Sequence, residues 1–153
     1  MQINMVSGMA SNRVIGNKNQ LPRHYSQDLK HFKELTTGKI IIMGYNTYVS
    51  LGSKPLPNRR NIVLSKELVP GIEAYPSIEE MLAQLNSENV EEIRIIGWAS
   101  IYAQFLPITD KIYLTLIKKS YIGDTYFPVF EDQFTEVGRE EHEDMDFVVY
   151  EKK

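Results

Sequence analysis

Two stretches restrict the fold of this 153-residue chain more than any others: Lys39-Ile40-Ile41-Ile42-Met43 running into Gly44, and Ile93-Arg94-Ile95-Ile96 running into Gly97. A short, nearly continuous apolar run closed by glycine and followed by a helical pattern suits a strand buried on both faces. After Gly97 the residues Ile101, Tyr102, Phe105 and Leu106 recur along one helical face up to Pro107. After Gly44 a short helix over Thr47 to Leu51 is expected. Strand, glycine, helix is the unit of a parallel sheet whose connections cross over one of its faces.

The remaining segments extend this pattern. Ile3 to Val6 and Asn61 to Leu64 read as strands, while Gly8 to Pro22 carries the Gly/Asn/Ser punctuation of a long loop with an embedded Val14-Ile15 pair. Ser26 is placed to cap a helix in which Leu29, Phe32 and Leu35 share a face until Gly38. Ser77-Ile78-Glu79-Glu80 is a capping box ahead of Met81, Leu82 and Leu85. Strands at Lys111 to Ile117, Phe134 to Arg139 and Phe147 to Glu151 close the chain, the last two with no helix between them. The expected fold is α/β: a single domain over residues 1–153 with a mostly parallel central sheet, an antiparallel C-terminal edge hairpin and helices on both faces.

Composition narrows the chemistry. With no cysteine there is no disulfide, thiolate metal site or cysteine nucleophile, and His24, His31 and His142 are too scattered to suggest a metal centre. A net charge of -3 argues against a nucleic-acid partner, and no run approaches a membrane span. The first residues lack the pattern of a signal peptide, so the cytoplasm is the expected compartment.

Three features can bind a ligand. Asp28 stands four residues before Phe32, so a carboxylate and an aromatic ring share one helix face, suited to a cationic or amidine-like heterocycle. The same Asp28 also reads as an ordinary acidic residue favoured by the helix dipole. Gly44-Tyr45-Asn46-Thr47 and Gly97-Trp98-Ala99-Ser100 each place backbone N–H groups at a strand end and helix start, suited to two phosphates. Neither turn has the G-x-G-x-x-G spacing, so no Rossmann assignment follows. Leu64-Ser65-Lys66, with Arg59 and Arg60 upstream, is a third anion feature, for which plain solvation of the charges is the competing account.

In order and spacing these segments resemble the dihydrofolate reductase family over nearly the whole chain. The resemblance rests on Arg13-Val14-Ile15-Gly16, on Asp28-Leu29 with Phe32-Lys33, and on Ile42-Met43-Gly44 with Thr47. It continues through Pro55-Leu56-Pro57-Asn58-Arg59, Asn61 to Ser65, Tyr113-Leu114-Thr115 and Gly123-Asp124-Thr125-Tyr126-Phe127-Pro128. It implies NADPH-dependent reduction of dihydrofolate by a monomer. Asp28, Leu21 and Thr115 would then serve catalysis, with Asp28 holding the pterin's amidine-like edge. Val6, Ser7, Leu29, Phe32, Leu51 and Ile96 would border the substrate, and Arg59 would take the folate α-carboxylate.

For the cofactor the resemblance implies Gly8, Ile15, Gly16 and Ile96 near the nicotinamide, and Gly44, Tyr45, Asn46 and Thr47 at the first turn. Gly97, Trp98, Ala99, Ser100, Ile101 and Tyr102 would form the second turn, while Leu64, Ser65 and Lys66 would meet the adenosine 2′-phosphate. Three residues depart from the family pattern. Arg23 follows Leu21-Pro22 where tryptophan is common, Tyr45 stands where an arginine often meets phosphate, and Trp98 replaces the second glycine of a Gly-Gly turn. The Gly97-Trp98 bond is expected to be cis. These departures motivate a rival reading, a non-catalytic binding or interaction protein on the same fold. A reductase for another pterin or a pyrimidine is a third.

Overall fold

The computed structural model describes residues 1–16, 26–97 and 99–153. Arg23, Leu21, Trp98 and the Gly97-Trp98 bond lie outside the described residues.

In chain order the strands are β1 (Gln2–Ala10), β2 (Val14–Gly16), β3 (Ile40–Gly44), β4 (Arg60–Leu64), β5 (Glu73–Tyr75), β6 (Glu92–Gly97), β7 (Lys111–Ile117), β8 (Thr125–Tyr126), β9 (Phe134–Glu141) and β10 (Met145–Lys152). The helices are α1 (Ser26–Thr36), α2 (Tyr45–Ser50), α3 (Ile78–Ser87) and α4 (Ala99–Phe105), with a 3-10 turn at Leu106–Ile108. Eight strands form one sheet in the order β5-β4-β3-β6-β1-β7-β10-β9, and β2 pairs with β8 in a second small sheet. Every contact from β5 to β7 is parallel. β10 runs antiparallel to both β7 and β9, so the mostly parallel sheet with its C-terminal antiparallel hairpin is observed.

Side chains alternate across the central strands, which explains why those strands are apolar on consecutive positions. Ile42, Ile62, Ile93 and Ile95 face a core shared with Met81 and Leu85 of α3 and Ile101, Tyr102 and Phe105 of α4. Ile41, Met43, Val63, Val6 and Ile96 face the other side, where Phe32 and Leu35 of α1 and Tyr48 of α2 pack. Helices therefore cover both faces. The α3 cap is as expected: the Ser77 hydroxyl accepts the Glu80 N–H at 3.1 Å. Behind it, fully buried Met81 and Leu85 each contribute about 1.5–3 kcal/mol of apolar burial.

Four local expectations are corrected. The loop expected from Gly8 begins later, because β1 continues through Ala10, paired with Ile117 of β7. Within that same loop Val14–Gly16 forms β2, sustained by pairing with Thr125 and Tyr126 of β8. The short second helix covers Tyr45–Ser50 rather than Thr47 to Leu51, since Gly44 itself is its N-cap. Ser26 is the first residue of α1 instead of its cap.

Candidate active site

Parallel strands that end together leave a crevice at their carboxyl edge, bordered by the loops and helices that follow. Here β1 lies between β6 and β7, and these three strands border a cavity of about 320 Å³. Its floor is Val6, Ser7 and Gly8 of β1, Ile96 and Gly97 of β6, and Thr115 of β7. Gly8 is level with Thr115 in the β1–β7 register. One wall is α1, contributing Asp28, Leu29, His31, Phe32, Lys33 and Leu35. Ile15 of β2, Thr47 and Ser50 of α2, Leu51, Leu56, Arg59, and Tyr102 of α4 complete the lining. The cavity is thus largely apolar, with one carboxylate and one guanidinium from separate segments.

Arg59 is held before it meets a ligand. Its Nε donates to the Pro57 carbonyl at 2.9 Å and its Nη1 to the Thr36 hydroxyl at 2.9 Å. Thr36 is fully buried and donates its own proton to the Phe32 carbonyl at 2.8 Å. The guanidinium is therefore registered to the last turn of α1, the helix that also carries Asp28. Burial draws the Arg59 pKa below its ordinary value, as for a guanidinium partly withdrawn from water.

The neighbouring arginine does something different. Arg60 pairs with Glu73 at 2.8 Å and with Glu88 at 2.7 Å, tying β4 to β5 and to the end of α3. Side-chain hydrogen bonds to those two carboxylates raise its pKa. Arg60 is thus committed within the protein, which separates it from the anion feature in which the sequence placed it beside Arg59.

The two glycine turns meet at Thr47. A register shift between Ile42 and Met43 brings Met43 opposite Gly97 and leaves Ile96 without a β3 partner, a bulge at the cavity's edge. Gly97 has φ +138°, open to glycine and costly for other residues, and a Cβ there would sit 3.0 Å from Thr47 Oγ1. Among the described residues that buried hydroxyl has no hydrogen-bond partner, an arrangement that costs stability unless a ligand group completes it. An orphan hydroxyl beside a glycine cradle, in front of a strand–helix turn, fits a phosphate-bearing cofactor. Tyr102 closes this corner, its hydroxyl donating to the Val6 carbonyl at 2.9 Å.

All nine residues expected at the substrate line this cavity: Val6, Ser7, Asp28, Leu29, Phe32, Leu51, Arg59, Ile96 and Thr115. Of those expected at the cofactor, Gly8, Ile15, Thr47, Ile96, Gly97 and Tyr102 do so as well. Gly44, Tyr45, Asn46, Leu64, Ser65, Lys66, Ala99, Ser100 and Ile101 lie outside its lining. Gly44 to Asn46 span the β3–α2 junction, Leu64 to Lys66 the end of β4, and Ala99 to Ile101 the start of α4. Tyr45 is about half exposed, and Ile101 packs into the core. The Ser65 hydroxyl accepts the Glu67 N–H at 3.1 Å. Leu21 and Trp98 belong to the segments not described. Sequence reasoning missed His31, Lys33, Leu35, Ser50 and Leu56 as lining residues, although His31 and Leu35 stand three positions after Asp28 and Phe32, the spacing of one helix face.

Fold and cavity together define an α/β protein with a mostly parallel central sheet and a ligand crevice toward the carboxyl ends of its parallel strands. A family model described as dihydrofolate reductase matches residues 2–152, and the chain belongs to that family. It is 43% identical over 131 residues to dihydrofolate reductase type 3 of Salmonella typhimurium, covering 84% of this chain and 79% of that one. It is 36% identical to the dihydrofolate reductase of Bacillus subtilis (strain 168), covering 99% and 95% of the two chains. A solved dihydrofolate reductase from Enterococcus faecalis, complexed with NADP(H) and RAB-propyl, superposes with a TM-score of 0.88 at 28% identity, covering 99% of this chain and 96% of its own.

Proposed function

We propose that this chain is a dihydrofolate reductase that uses NADPH to convert 7,8-dihydrofolate to tetrahydrofolate. The observation that carries this reading is the presence of Asp28 and Arg59 in the lining of one apolar cavity, linked through α1. A folate has a polar amidine-like edge at one end, an apolar middle and carboxylates at the other end. The cavity offers a matching carboxylate, apolar walls and a guanidinium.

Asp28 accepts hydrogen bonds from the pterin edge, and its negative charge favours the protonated form of the substrate as reduction proceeds. Thr115 supports that edge from β7, while Leu29, Phe32 and Leu51 enclose the ring and keep water from it. Arg59 receives the α-carboxylate in a two-pronged contact. Thr47 and the turns at Gly44 and Gly97 would hold the cofactor's phosphates, with Ser65 and Lys66 for the 2′-phosphate. When bound, NADPH supplies the hydride, and the protein's share of the work is alignment and electrostatics.

We take residues 1–153 as one domain that acts as a cytoplasmic monomer without nucleic-acid or membrane partners. No described helix is long and apolar enough to cross a membrane. The test is dihydrofolate-dependent loss of NADPH absorbance, with Asp28→Asn as the paired variant. Turnover is expected in the parent and a fall of about 100-fold or more in the variant, with the melting temperature retained. A parent that binds both ligands and does not turn over supports the non-catalytic reading instead.

A further inference from the structure

The α1 wall of the cavity contains a contact that the reaction as described does not use. His31 follows Asp28 by three positions, on the same side of α1, and lines the cavity. Its ring lies flat on Phe147 of β10, with centroids 3.8 Å apart and planes 15° from parallel. Phe147 is buried, is absent from the cavity lining, and is the direct cross-strand partner of Thr115. The stack therefore joins the turn of α1 that bears Asp28 to the strand pair that bears Thr115.

A second contact braces the same junction. Gln27, one residue before Asp28, has its Nε2 2.9 Å from Nδ1 of His142 in the β9–β10 connection. The His142 ring leans on Phe147 at 5.0 Å and its Nε2 lies 2.8 Å from Glu140. Among the described residues, helix α1 has only modest apolar anchorage near its start, because Leu29 is mostly exposed and its apolar packing comes from Phe32 onward. These contacts, among the described residues, tie its first turns to β10.

We propose that His31 is a positioning residue: by stacking on Phe147 it seats the Asp28 turn of α1 level with Thr115, and so sets affinity for the heterocycle without acting on the cofactor turns. The inference rests on the reductase reading for the identity of the heterocycle. Ring shape carries the effect, so a phenyl ring at position 31 should serve and a methyl group should not. Phe147 provides a second handle, because it carries the His31 ring directly and also touches His142, which meets Gln27.

The experiment compares the parent with His31→Ala, Phe147→Leu, the double variant and His31→Phe. It measures dihydrofolate and NADPH dissociation constants by calorimetry, steady-state kinetics, and amide hydrogen exchange along α1. Each single variant should weaken dihydrofolate binding about five- to ten-fold, the scale of one aromatic stack. NADPH binding should be unchanged, the double variant should lose less than the sum of the two single losses, and His31→Phe should restore the parent value. Amides in the first turns of α1 should exchange faster in His31→Ala and Phe147→Leu alike. Losses that add in the double variant, equal losses for NADPH, failure of His31→Phe to rescue, or unchanged exchange in α1 would each overturn the inference. A parent that binds dihydrofolate without turning it over refutes the proposed reaction and leaves the affinity test intact. A parent that does not bind it refutes the affinity claim as well.

Discussion

Replacing Gly97 with alanine tests the cofactor turn at the point where backbone and side-chain constraints coincide. An L-residue at φ +138° carries about 1–3 kcal/mol of conformational strain. The added Cβ would also meet Thr47 Oγ1 at 3.0 Å and the Tyr102 hydroxyl at 3.6 Å. Neither neighbour yields readily: Thr47 is buried and β-branched, and Tyr102 is tied to the Val6 carbonyl. Adding mild overpacking and subtracting the smaller entropy lost by the unfolded chain gives a net cost of about 2–4 kcal/mol. For a domain of this size that corresponds to a fall in melting temperature of roughly 5–15 °C by calorimetry. NADPH affinity should fall with it, by about 10-fold or more, since the methyl group enters the space in front of the orphan hydroxyl. Combining Gly97→Ala with Thr47→Ala should return the steric part of the stability and leave the conformational part. A melting temperature within about 1 °C of the parent would refute the reasoning, because the backbone cost does not depend on any ligand.

Arg59→Leu should raise the dihydrofolate KM about 10- to 100-fold while changing that of a pterin without a glutamate tail much less; equal losses would contradict the carboxylate assignment. Lys66→Ala should narrow the preference for NADPH over NADH about 10-fold, as read from the two dissociation constants, and an unchanged ratio would remove Lys66 from the 2′-phosphate site. His31 supplies a pH dependence. Burial lowers its pKa below 6.5, with His142 adding to that effect while Asp28 and Glu34 of α1 and Glu140 of β9 oppose it. As pH falls below about 6.5 the unfolded chain takes up the proton first, so stability present above that value is lost as pH drops through the lower folded-state pKa. Urea denaturation at pH about 7.5 and about 5.5 should show a steeper loss in the parent than in His31→Phe, and parallel losses would contradict the assignment.

The parts of the fold that could be read in the sequence are those whose residues make their own case. Ile40 to Met43, and Ile93, Ile95 and Ile96, put apolar side chains on both faces because helices cover both, and Ser77 caps α3 by accepting the Glu80 N–H. β2, β5 and β8 are two or three residues long, too short for any period, and exist only through distant partners. The site divides in the same way. Asp28 and Arg59 carry unusual chemistry in a recognisable order, and the structure gathers them into one lining. Nothing beside Arg60 in the chain says that Glu73 and Glu88 will occupy it. Nor does anything near His31 point to Phe147, which lies on β10, the last strand in chain order.

The place of β1 in the sheet bears on how the molecule is born. Its neighbours are β6 and β7, with Gln2 opposite Glu92 and Ala10 opposite Ile117, so the first strand made has no partner until the chain is well past its midpoint. At cellular elongation rates that wait is roughly 5–20 s. During it β3, β4 and β5 can assemble with α2 as a local unit, while Ile3, Met5, Val6 and Met9 remain uncovered. Closing the sheet around β1 is a long-range event with a large loop to close, and contacts of that kind slow folding. The strand that supplies the cavity floor is therefore the part of a nascent chain most exposed to association with its neighbours on the ribosome.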